Sequence, residues 1–189
     1  NYSFMTKDTE KSKVILVTSS IKGEGKTVVS THLSKIISFS KKAILIGSDL
    51  RNPQIHKFTN VDKSVKGLSD YIFERSTKLN EIINKNGSLD IIYSGPIPPN
   101  PTEMLASERF TQMVDLLKED YDYILIDSAP CLLVADTLQF SSIVDTSILV
   151  IRANHTNFEV LKFINELKDE NKLNNIHIVL NGIGNSSIY

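Results

Sequence analysis

Short apolar-rich runs dominated by Val, Ile and Leu recur along the chain at 14–19, 43–46, 89–93, 123–126, 147–151 and 176–180, each bounded by turn-forming residues. Runs of this length without strict apolar and polar alternation read as strands buried on both faces. Between them, the segments 28–39, 103–118, 135–143 and 158–171 carry apolar residues at three- and four-residue spacing, the pattern of a helix with one buried face. Repeated strand and helix units predict an α/β fold, a mostly parallel sheet with helices on both faces.

Two stretches break the rhythm. Residues 52–86 are polar and weakly periodic, with turn signals at 62–67, so short helices and surface loops are expected there rather than a core strand. The run Gly95-Pro96-Ile97-Pro98-Pro99-Asn100-Pro101 is expected to be a rigid loop after the third strand, because proline lacks an amide proton and pushes its predecessor toward extended geometry. Thr102, ahead of Glu103 and Leu105, is the expected N-cap of the next helix.

Size and composition fit one domain: 189 residues, 41% apolar and 23% charged. With 21 basic and 22 acidic side chains the formal net charge is -1, so no bulk field favours nucleic acid, and no nucleic-acid partner is expected. Cys131 is the single cysteine and lies in an apolar run, which suits a small buried hydrophobe in a reducing, cytoplasmic setting. No apolar run approaches the ~20 residues that cross a bilayer. The chain opens at Asn1 and enters its first strand within about a dozen residues. It is therefore read as one domain, 1–189, of a longer protein whose membrane segments would lie upstream.

The clearest chemistry follows the first strand. Ser20-Ile21-Lys22-Gly23-Glu24-Gly25-Lys26-Thr27 lies between a Val/Ile run and an amphipathic helix, the setting of a phosphate-binding loop. Gly23 and Gly25 let the backbone curl so that amides of Gly23, Glu24, Gly25, Lys26, Thr27 and Val28 face phosphate oxygens at a helix N-terminus. Lys26 would reach the β- and γ-phosphates of ATP, and the Thr27 hydroxyl would ligate Mg²⁺. Asp127 ends the run Tyr123-Ile124-Leu125-Ile126-Asp127, which puts a carboxylate at a strand's carboxyl edge, where it would hold Mg²⁺ or its water. Asp49 lies just past another strand, in Gly47-Ser48-Asp49-Leu50-Arg51-Asn52-Pro53, where it either joins the metal site or forms a local turn. His32, His56, His155 and His177 show no metal-ligand spacing, and Tyr121 and Tyr123 read as strand packing.

These motifs together resemble the cytoplasmic domain of bacterial tyrosine kinases (BY-kinases), of the MinD/ParA-like branch of P-loop ATPases. The resemblance covers nearly the whole chain. It rests on the phosphate loop, Asp49-Leu50-Arg51-Asn52-Pro53, the proline run through Pro101, Ser107-Glu108-Arg109-Phe110, Asp127-Ser128-Ala129-Pro130, Val134-Ala135-Asp136, Val150-Ile151-Arg152-Ala153 and Leu180-Asn181-Gly182. The proline run followed by Ser-Glu-Arg-Phe discriminates most, since a general P-loop ATPase has no mechanical need for it.

The resemblance implies an ATP- and Mg²⁺-dependent protein-tyrosine kinase. Lys26, Asp49, Arg51 and Asp127 would be catalytic, Thr27, Asp49 and Asp127 would serve the metal, and Asn181 would hydrogen-bond adenine or form a turn. Asp136 either joins the site or begins a helix. It also implies neighbouring kinase subunits in a homo-oligomer, a membrane-embedded chain-length regulator as partner, and a role in exopolysaccharide export at the inner face of the cell membrane. The alternative is a MinD/ParA-like ATPase or weak kinase-like module whose nucleotide state controls assembly. The sequence departs from its relatives in three places. Ile21 stands where partitioning ATPases carry a signature Lys, Gly47 stands where kinases of this type carry the first acid of Asp-x-Asp, and the tail holds only Tyr189.

Overall fold

The computed structural model describes residues 12–59, 61–62, 64–132, 140, 142–170 and 172–184. All six expected strands are present: β1 (Lys13–Ser19), β2 (Ala43–Gly47), β4 (Leu89–Ile92), β5 (Tyr123–Asp127), β6 (Thr146–Arg152) and β7 (Ile176–Asn181). A seventh, β3 (Ile83–Asn86), corresponds to none of the apolar runs. It has one apolar residue and is half-buried to exposed, because it is an edge strand that gains little from apolar side chains. It pairs antiparallel with β4 across a two-residue turn in which Gly87 supplies a φ of +64°. The sheet order is β3-β4-β2-β5-β1-β6-β7, and every pair but β3–β4 is parallel.

Alternation along the central strands builds two cores. Val14, Leu16, Ile44, Ile46, Ile124 and Ile126 face one side; Ile15, Ala43, Leu45 and Leu125 face the other. Helix α1 (Lys26–Ile37) packs on the second side through Leu33 and Ile37. The first side is covered by α2 (Leu68–Phe73), α4 (Pro101–Leu105), α5 (Glu108–Asp120) and α6 (Val160–Asp169). Burial on both faces explains why these strands read as continuous apolar runs.

The segment 52–86 holds a 3₁₀ turn (Ile55–Phe58), α2, α3 (Leu79–Ile82) and β3, which fits short elements without a core strand. Three local expectations need correction. The helix expected over 103–118 is two helices, because Ser107 ends the first and accepts a hydrogen bond from the Phe110 amide to start the second. Asn100, not Thr102, is the N-cap residue of α4, and Pro101 occupies its first turn, where a missing amide proton costs nothing. Tyr121 lies just after α5 rather than in a strand; its hydroxyl donates to Asp90 Oδ2 at 2.6 Å. The helix expected over 135–143 falls largely outside the described residues.

The Ser-Glu-Arg-Phe motif has a mechanical role. Arg109 Nε donates to Tyr71 O at 2.6 Å, its Nη2 reaches the carbonyls of Glu74, Arg75 and Thr77, and its guanidinium stacks 4.4 Å from the Tyr71 ring centroid. One cation thus closes the C-terminal end of α2 and shapes the turn to α3. Phe110 is fully buried, 5.3 Å from the Phe140 ring.

Candidate active site

The crevice opens at the carboxyl ends of β1, β2 and β5, neighbours in the sheet, where open parallel sheets bind ligands. Residues 20–25 turn from β1 into α1. Gly25 has a φ of +96° and Gly23 of +86°, values that L side chains rarely adopt. A Cβ at Gly25 would also fall 2.2 Å from the Asn181 amide nitrogen.

Four expected residues converge here. Lys26 Nζ lies 2.9 Å from Asp49 Oδ2 and 4.0 Å from Asp127 Oδ1. Thr27 Oγ1 donates to Asp127 Oδ2 at 2.9 Å. Asp49 Oδ1 accepts from the Asn52 amide at 3.0 Å, so Asp49 both forms the local turn and faces the site. The Ser48 and Asp49 amides donate to Asp127 O at 2.8 and 3.1 Å, which locks the end of β2 to the end of β5.

Asp127 is 1% exposed, and its Oδ1 accepts no hydrogen bond. Burial raises its pKa above the ordinary carboxylate range, while Lys26 and the Thr27 hydroxyl pull it down and Asp49 pushes it up. A buried carboxylate oxygen without a donor, beside a hydroxyl, fits a small hard cation that takes oxygen ligands and keeps its waters. Among the described residues no three His, Cys, Asp or Glu side chains are grouped as a metal cage.

Lys22, Gly23, Val28, Arg51 and Pro130 help line a cleft of about 570 Å³ over this cluster. Arg51 is exposed there and donates through Nη2 to Thr102 Oγ1 at 2.9 Å. A second cavity of about 280 Å³ adjoins it, sharing Asn52 and Gln54, with Gly95, Pro96 and Ile97 of the proline run in its wall.

The side chains of two expected cofactor residues make contacts within the loop. The Glu24 carboxylate is fully buried and turned into the protein, leaving only the backbone of Glu24 for a ligand. Asn181 Nδ2 donates to Glu24 O at 2.9 Å, so this side chain holds the loop itself. Ser20, in the loop's first position, donates to Glu24 Oε1 at 2.6 Å and ties the two ends of the turn together. His155 and Thr156, which no sequence motif marked, also touch the loop, through Lys22 O and Glu24 Oε1.

Gly47 sits opposite Asp127 in the register. A Cβ there would lie 2.9 Å from Ser94 Oγ and 3.1 Å from Ile55 Cδ1, so neighbouring side chains fill the place of the missing acid. Cys131 is buried, and burial pushes its thiol up to about 11, which disfavours the thiolate. Asp136 and Tyr189 lie outside the described residues.

No family model matches the chain. Individual relatives do. It is 33% identical over 161 residues to the tyrosine-protein kinase YwqD of Bacillus subtilis, covering 84% of this chain and 67% of that protein. It is 30% identical over 183 residues to the tyrosine-protein kinase etk of Escherichia coli, covering 95% of this chain but only 25% of etk, so it spans a minor part of that longer relative. Among solved structures, the VpsO kinase domain superposes with a TM-score of 0.86 at 30% identity, covering 94% of this chain and 88% of that one. A plasmid partition protein from Borrelia burgdorferi, 20% identical with a TM-score of 0.77, shares the fold. Sequence, fold and the convergent Lys26, Thr27, Asp49 and Asp127 agree, and the chain belongs to the bacterial tyrosine-protein kinases, the BY-kinases.

Proposed function

We propose that this domain binds ATP with Mg²⁺ and transfers the γ-phosphoryl group to a tyrosine hydroxyl of a neighbouring copy, within a membrane-associated system that controls exopolysaccharide chain length and export. The observation that carries the reading is the convergence of one cation, one hydroxyl and two carboxylates at the ends of three adjacent strands.

Thr27 Oγ1 and Asp127 Oδ1 would hold Mg²⁺, with Asp49 beside them. Bound there, the ion supplies charge neutralisation on the β- and γ-phosphate oxygens. Lys26 is paired with Asp49, and phosphate competes for the same ammonium. As Lys26 turns to the β- and γ-oxygens, Asp49 Oδ2 is left to accept the proton of the attacking tyrosine. The tyrosine oxygen forms its bond to the γ-phosphorus, the bond to the bridging oxygen breaks, and ADP leaves. Arg51 at the rim adds positive charge where the transferred group becomes more exposed. A kinase differs from an ATPase in needing room for a second substrate, and the adjoining cavity, walled by the proline run, offers that approach.

One observation favours a second reading, an ATP-controlled assembly module: the space for the first acid of Asp-x-Asp is filled by Ser94 and Ile55. Incubation of the full-length protein with ATP labelled at the γ-phosphate separates the two. Label on tyrosine supports the kinase; label in inorganic phosphate alone supports the ATPase.

A further inference from the structure

The outer side of the phosphate loop is gripped by the turn after β6 and the end of β7. His155 Nε2 lies 2.9 Å from Lys22 O, Arg152 Nη1 donates to Gly23 O at 3.0 Å, and Asn181 Nδ2 donates to Glu24 O at 2.9 Å. Three successive carbonyls therefore each meet a different side chain. A carbonyl only accepts, so His155 carries its proton on Nε2.

A fourth contact anchors the loop from within. The buried Glu24 carboxylate accepts from Ser20 Oγ at 2.6 Å, from the Ile21 amide at 2.8 Å and from Thr156 Oγ1. Thr156 is tied in turn to Arg152: its Oγ1 accepts from the Arg152 amide at 2.8 Å, and its own amide donates to Arg152 O at 2.9 Å. The brace presses close. A Cβ at Gly23 would sit 3.3 Å from His155 Nε2, and one at Gly25 would collide with Asn181.

We infer that Arg152, His155, Thr156 and Asn181 are positioning residues that aim the phosphate-loop amides, and that Arg152 and Asn181 act on the triphosphate end of the nucleotide through the loop rather than by reading its base. The physical reason lies in the peptide plane, where C=O and the following N–H point in opposite directions. Fixing the carbonyls of Lys22, Gly23 and Glu24 outward turns the amides of Gly23, Glu24 and Gly25 inward before a ligand arrives. Donors fixed in advance need no reorganisation when phosphate binds. Glu24 is the hub, for its acid is spent on Ser20, Ile21 and Thr156 and leaves the cleft free of an anion that would repel phosphate.

The inference rests on the nucleotide-binding reading, and the test separates the two. Affinities of Mg²⁺·ATP and of Mg²⁺·tripolyphosphate, which has no base, are measured by calorimetry for the parent, Asn181→Ala, Thr156→Val and Thr156→Ser. The brace predicts that Asn181→Ala and Thr156→Val weaken both ligands by the same factor, about five- to ten-fold for one lost hydrogen bond. Thr156→Ser, which keeps the hydroxyl, should restore both. If Asn181→Ala weakens ATP while tripolyphosphate is unchanged, Asn181 reads the base and the inference is overturned. Unchanged affinities in Thr156→Val, or equal losses in Thr156→Ser and Thr156→Val, also overturn it. A parent that binds neither ligand refutes the nucleotide-binding reading itself. Thr156 is partly exposed, so its two variants carry the comparison even if Asn181→Ala fails to fold.

Discussion

Gly47→Asp would supply the acid that related kinases lead one to expect, and the structure predicts that it fails. The new Cβ would fall 2.9 Å from Ser94 Oγ, 3.1 Å from Ile55 Cδ1 and 3.3 Å from the Ser94 amide nitrogen. Ser94 Oγ cannot simply swing aside, because it donates to Gly47 O at 2.9 Å in a buried setting. Overpacking of this kind costs roughly 1–3 kcal/mol, and the displaced hydroxyl gives up about 1 kcal/mol of hydrogen bond. The sum is about 3 kcal/mol, which lowers the melting temperature of a domain this size by about 6–12 °C. Calorimetric melting of the parent, Gly47→Asp, Ser94→Ala and the double variant tests this. Removing the hydroxyl should make the double variant more stable than the two single changes sum to, by about 1 kcal/mol or more. A Gly47→Asp protein that melts with the parent would refute the steric reasoning, and the second acid would then be admissible at that position.

Three further outcomes follow from the site. Lys26→Met should abolish ATP binding and also lower stability by a few kcal/mol, about 3, because it strands the buried Asp49; adding Asp49→Asn should recover melting temperature but not binding. Asp127→Asn should weaken the Mg²⁺ dependence of nucleotide binding, read by titration. It should also raise the stability of the ligand-free protein at neutral pH. Burial raises the pKa of Asp127 in the fold above its unfolded value, so the cost of ionising it builds as pH rises from the unfolded value to the raised one, and the gain should vanish below ~pH 4, where both states hold the proton. Arg109→Ala should lower the melting temperature by several degrees, about 5 °C, by freeing the turn after α2, as four carbonyl contacts and a ring contact go with it.

What was legible in the sequence follows what forces the pattern. Strands β1, β2 and β5 are buried on both faces, so their residues had to be apolar, and Asp127 stood out at the end of such a run. The loop was legible because Gly23 and Gly25 need unusual φ angles and Lys26-Thr27 follow them. Strand β3 was hidden because its polar edge carries no such constraint, although Gly87-Ser88 is a hairpin signal. The break at Ser107 was hidden because apolar spacing continues across it into α5. The brace was hidden for a different reason: His155 and Thr156 act from the turn after β6, some 130 residues from the loop they hold. Only the parallel pairing of β1 with β6 and β6 with β7 brings them there.

The account stands or falls on Asp49, which pairs with the phosphate-loop lysine and, in the proposed reaction, takes the proton of the attacking hydroxyl. Tyrosine phosphorylation by the full-length protein, at saturating Mg²⁺ and ATP, should drop by ~10²-fold or more in Asp49→Asn, the usual scale for losing a general base. Phosphotransfer at the parental rate in a folded Asp49→Asn protein would contradict it.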